Sequence, residues 1–131
     1  MKIFINLHKY LQIIMTNNFQ QFSIEQLDSV SFGDNEFKKE LIEIFMEQIP
    51  VFISNLKKFF DEGNLKNLAK EAHTAKSSVL IFEMINTGKL LKEIQLLSEN
   101  NSREKLSKLI KDVELELIDA ATQLKAILVE L

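Results

Sequence analysis

Two histidines and no cysteine are all that this 131-residue chain offers for imidazole or thiol chemistry. His73 has the more suggestive neighbours. Lys70 lies at i−3, Lys76 at i+3 and Lys66 two turns back, while Ala69 and Ser77 are one turn away on either side; residues three and four apart adjoin on a helix surface. A neutral imidazole nitrogen is a competent nucleophile toward an activated phosphoryl group near pH 7. Ammonium groups beside it attract phosphoryl oxygens and disfavour an imidazolium. Small side chains around the ring leave room for a partner's backbone. Residues 57–76 carry five Lys against three Asp/Glu, a local charge of +2 on a chain of net charge −3. A histidine at a helix boundary often only fills space, and three lysines with low-lying flanks set this one apart.

Other chemistries find little support. His8 and His73 are far apart, no His-x-x-x-His or Glu-x-x-His pair occurs, and no metal site is expected. No Gly-rich phosphate loop, Gly-x-Ser-x-Gly elbow or Ser/His/Asp set is visible. The many carboxylates read as solvated charges on helix faces. Absence of Cys excludes disulfides and thiolate metal sites and is compatible with a reducing compartment. The net negative charge argues against nucleic acid as a general partner. No run of 18 apolar residues exists to span a membrane.

The elements that must position His73 follow from composition and period. Three Gly, one Pro, 46% apolar and 27% charged residues indicate a soluble all-α protein of one domain. Asp34 or Asn35 is expected to cap a long helix running to about Glu62, with Phe37, Leu41, Ile44, Phe45, Phe52, Leu56 and Phe59 as its core stripe and a kink at Pro50. Gly63 then ends that helix and Asn64 caps the next. In this second helix Leu65, Leu68, Ala72, Ala75, Val79 and Phe82 form the buried stripe. His73 falls about 130° from the centre of the stripe, outside the core. This helix ends near Glu83. Asn86 or Thr87 starts a third, with Leu90, Leu91, Ile94 and Leu97 inward, closing at 98–101. Asn101 or Ser102 caps a fourth, whose stripe is Leu106, Leu109, Val113, Leu117, Ala120, Leu124, Ile127 and Leu131. Four helices joined by short turns give an antiparallel up-down-up-down four-helix bundle.

Residues 19–33 read as a loop with a short helix at 23–28, and 19–131 as the domain. Residues 1–18 read as an N-terminal extension or helix, with Phe4, Leu7, Leu11 and Ile14 on one side. The first 14 residues are either a docking extension or a start assigned too far upstream. As a signal peptide the segment is poor, because His8 and Lys9 interrupt it.

Ala72-His73-Thr74-Ala75-Lys76-Ser77-Ser78 resembles the His-x-x-Lys-Gly-Ser motif of histidine-containing phosphotransfer (HPt) domains. The likeness extends through Gly33–Pro50, Phe59–Leu65 and Leu90–Ile94, covering roughly residues 23–131 in register with the helices above. Two departures stand out. Ser77 occupies the position of the motif's Gly, where its hydroxyl could donate to a phosphoryl oxygen. Glu83 occupies that of a second Gly, which suggests a more regular helix end. The resemblance implies that His73 takes a phosphoryl group on Nε2 from an aspartyl phosphate of a response-regulator receiver domain and passes it to another receiver. Lys76 would neutralise charge on the phosphoryl oxygens. Such a carrier has no ATP site, no kinase activity and no cofactor of its own, since Mg²⁺ and the activating acidic residues belong to the receiver. Receivers and a hybrid sensor kinase are the partners it implies, for a cytoplasmic monomer. A helical adaptor, or a receiver-binding decoy whose His73 never reacts, is the rival reading.

The long first helix has more apolar residues than one stripe needs. Ile42, Met46, Ile49 and Ile53 form a second row. It is expected to contribute, with Ala69 and Ser77, an apolar docking floor around His73, rimmed by Lys66, Lys70 and Lys76.

Overall fold

The computed structural model of the chain describes residues 27–29 and 31–131. Four helices follow one another: α1 (Asn35–Asp61), α2 (Leu65–Ile81), α3 (Ile85–Glu99) and α4 (Leu106–Glu130). Contacts run α1 to α2, α2 to α3, α3 to α4 and α4 back to α1, which is the closed ring of an antiparallel four-helix bundle. The described residues contain no strand. The expectations for residues 1–18, and for residues 23–26 of the short helix, lie outside the described residues. Residues 27–29 are helical, Leu27 is in the core, and Asp28 pairs with Lys38 at the start of α1.

Local signals set most of the helix ends. The Asp34 carboxylate accepts from the backbone N–H groups of Glu36 (2.9 Å) and Phe37 (3.2 Å), satisfying donors that the first turn would otherwise leave open. Asn64 does the same for α2 through the N–H of Asn67. Pro50 lies within α1 without ending it. Its ring is on the exposed side, where a carbonyl that loses its helical partner meets water.

The three turns between helices share one hydrogen-bond pattern. Gly63, Glu83 and Asn101 take φ of +69°, +52° and +55°. The next N–H in each case reaches back to a carbonyl five residues earlier: Asn64 to Phe59 (2.8 Å), Met84 to Val79 (3.1 Å) and Ser102 to Leu97 (2.8 Å). Those left-handed caps satisfy carbonyls that the helix end leaves open. Glu83 therefore does not give the more regular helix end expected of it. It adopts the backbone conformation that suits glycine, because the bond from Met84 to Val79 requires it. Starts of α3 and α4 differ from expectation too. Neither has a side-chain cap: α3 begins at Ile85, and α4 begins at Leu106, four residues past Ser102.

The core confirms the stripes of α2 and α4 and corrects that of α1. Leu68, Ala72, Ala75 and Val79 of α2 are buried, as are Leu106, Leu109, Val113, Leu117, Ala120 and Leu124 of α4. In α1 the buried residues are Ile42, Phe45, Ile49, Phe52 and Leu56, at alternating spacings of three and four. Ile42 and Ile49, expected on a docking face, are 0% and 3% exposed; Phe37 and Ile44, expected in the core, are 39% and 52% exposed. The seam of a bundle helix is narrow, and its position is set by where neighbouring helices press. At the α1–α2 contact the rings of Phe45 and Phe82 stack at 4.5 Å, an aromatic pair contributing about 0.5–1.5 kcal/mol beyond its buried area.

Candidate functional site

His73 is exposed on α2, as its angle from the core stripe requires. Its helix turns it toward α3, where Nδ1 lies 3.4 Å from Oε1 of Gln95. The amide nitrogen of Gln95 donates in turn to Glu99 Oε2 at 3.5 Å. That second contact orients the amide, since a carboxylate accepts only from its NH₂ end. The carbonyl end therefore faces His73 and accepts from Nδ1–H. That arrangement is compatible with the tautomer that carries its proton on Nδ1 and a lone pair on Nε2. Sequence reasoning missed Gln95. The signal was present in the α2–α3 hairpin: a turn centred on Met84 places position 73 opposite 95.

The α2–α3 face around the ring is an open depression. Lys66, Ala69, Lys70, His73 and Thr74 line it from α2, and Gln95, Ser98 and Glu99 from α3. Lys66 and Lys70 are thus brought beside His73 as the spacing suggested. Ala69 is small and 7% exposed, and forms part of its floor. Ser77 is exposed outside this lining, and its hydroxyl donates to the backbone carbonyl of His73 at 3.3 Å. Lys76 is partly buried one turn along α2, and no carboxylate of the described residues pairs with it.

The expected docking row is not brought here. Ile42 and Ile49 are in the core. Met46 and Ile53 pack partly buried against it, on the flank of α1 that also carries Lys57 and Phe60. Those two residues meet α4 and the turn before it: Lys57 pairs with Glu114, and the Phe60 carbonyl accepts from Arg103. Met46 thus faces away from the α2–α3 groove.

Two carboxylates outside the depression are perturbed. Hydrogen bonding from Lys57, reinforced by the charges of Lys57 and Lys111, holds Glu114 below the ordinary carboxylate range. Burial pushes Glu116 above it, helped by the negative charges of Asp112 and Asp119 and opposed by hydrogen bonds from Thr87 and Asn86. Both bonds are 2.6 Å long and tie the first turn of α3 to α4. Among the described residues no cluster of three or more His, Cys, Asp or Glu is arranged to hold a metal ion, and no helix is long and apolar enough to cross a membrane.

A family model described as the Hpt domain matches residues 40–127, about two thirds of the chain. Comparison with curated proteins and with solved structures gave no match.

Proposed function

Because the chain belongs to the Hpt domain family, we propose that His73 is the residue on which it carries a phosphoryl group between receiver domains. Proteins of this family are phosphocarriers of phosphorelay signalling rather than enzymes, and they work with receiver domains. The observation that carries the assignment is the contact of His73 Nδ1 with Gln95 at 3.4 Å on an exposed helix face.

The chemistry balances on that geometry. The Nε2 lone pair attacks the phosphorus of an aspartyl phosphate on the receiver. The P–O bond to the aspartyl carboxylate breaks, and the carboxylate leaves with the bonding pair. Nδ1 keeps its proton, so the ring becomes a phosphorylated imidazolium whose charge Gln95 Oε1 helps to stabilise. The reverse step transfers the group to a second receiver. Lys76, one turn away, neutralises charge on the three equatorial oxygens as the transition state develops. Lys66 and Lys70 supply a basic rim, and the receiver supplies the Mg²⁺. A hybrid sensor kinase would stand upstream, and the carrier would act as a cytoplasmic monomer.

The test is transfer from a receiver phosphorylated on aspartate. Wild-type protein should acquire an acid-labile label that maps to His73, and His73→Gln should fold normally and acquire none. Lys76→Ala should keep acceptance but slow it, because an interaction that strengthens toward the transition state is lost. Binding of the receiver without labelling of His73 would instead establish the adaptor or decoy reading.

A further inference from the structure

The outer flank of α1 carries an apolar row that the bundle does not cover. Phe37, Ile44 and Val51, at intervals of seven, are 39%, 52% and 54% exposed. Leu41 lies between them, partly buried against the core. Intervals of seven and four place this row in line with Asn55, which donates to Glu71 of α2. The row therefore borders the α1–α2 groove, on the opposite flank of α1 from Met46 and away from the α2–α3 face that holds His73. Exposed Glu40 and Glu47 follow its solvent edge, each within a turn of Ile44.

We propose that residues 1–14 of the same chain cover this row, docking as an amphipathic helix along the flank of α1 marked by Phe37, Ile44 and Val51. Length, reach and charge all match. Phe37 to Val51 spans fourteen residue steps, about 21 Å of helix axis, which is the length of a fourteen-residue helix. Phe4, Leu7, Leu11 and Ile14 give such a helix one apolar stripe about 15 Å long, enough to cover most of the row. Buried Leu27 and the pairing of Asp28 with Lys38 fix where the preceding chain meets the bundle, at the amino end of α1. The twelve residues 15–26 can extend at most about 40 Å, which is enough to reach any part of the row. Residues 1–14 carry Lys2 and Lys9 and no carboxylate, whereas the edge they would approach is acidic. Docking there leaves His73 open, so the arrangement does not depend on the phosphotransfer reading.

The chain supplies its own probe. Tyr10 is the sole tyrosine and there is no tryptophan, so emission excited at 280 nm reports on this segment alone. In the full chain, Tyr10 should show the fluorescence anisotropy of the whole domain at every protein concentration. Ile44→Glu, at a half-exposed site that the fold tolerates, should lower that anisotropy at least twofold. Ile118→Glu, at a half-exposed site on α4, should leave it unchanged. Beginning the chain at Met15 should lower the melting temperature of wild type but not of Ile44→Glu. Low anisotropy in the wild type, or equal effects of the two glutamates, would overturn the proposal. Anisotropy that rises with concentration would overturn it too, by assigning the row to a second copy of the chain.

Discussion

Replacing Glu83 by glycine should stabilise the protein, although it deletes a side chain and shortens no loop. Glu83 sits at φ +52°, between the last turn of α2 and the first of α3. Its backbone is held there by two bonds, Glu83 N–H to Leu80 (3.0 Å) and Met84 N–H to Val79 (3.1 Å). A side chain with a Cβ in the left-handed region costs about 1–2 kcal/mol through crowding against its own carbonyl. Glycine removes that cost but loses more freedom on folding, about 0.5–1 kcal/mol. The expected net gain is about 0.5–1 kcal/mol, a rise of roughly 2–5 °C in melting temperature for a chain of this size. Thermal and urea unfolding followed by circular dichroism measure it directly. Glu83→Ala separates the backbone effect from removal of a charge, since alanine keeps the Cβ and should gain little. Asn101→Gly should gain less than Glu83→Gly, because asparagine tolerates the left-handed region. If Glu83→Gly is no more stable than Glu83→Ala, the strain assigned to this turn is not there.

At the matching turn after α1, Gly63→Ala should cost about 1–2 kcal/mol, seen as a lower urea midpoint: its φ is +69°, and an added Cβ would stand 3.1 Å from Arg103 Nη1. Burial raises the Glu116 carboxyl above its ordinary value of 4.5, so the folded state binds more proton than the unfolded state in the window just above that value. Stability contributed by this group must then fall as pH rises through the window, and Glu116→Gln should gain on wild type across it; a difference that stays constant with pH would refute this. Gln95→Leu should leave the bundle folded yet slow phosphoryl uptake about five- to tenfold, the loss of roughly one hydrogen bond to the reacting ring; an unchanged rate would remove Gln95 from the site.

Much of the architecture was legible from residues close together in the sequence. Asp34, the Gly63-Asn64 pair and the three-four spacings of α2 and α4 act within one or two turns, so the sequence specified those caps and buried faces before any tertiary contact was known. The same holds for the exposure of His73, which follows from its angle to Ala72, Ala75 and Val79 on its own helix. Tertiary structure decided the rest, because the deciding partners are distant in the chain. Helix α1 is apolar on more than one side, and only the positions of α2 and α4 selected Ile42 and Ile49 for the core over Phe37 and Ile44. The left-handed backbone at Glu83 came from closure of the α2–α3 turn, against the preference of the residue itself. Thr87 and Asn86, which read as cap residues, instead hold a carboxylate from α4. The neighbour of His73 was likewise set by packing, since its Nδ1 meets Gln95, twenty-two residues away on the adjoining helix. Periodicity records which way a side chain points from its own helix axis; which group it meets there depends on how the helices pack.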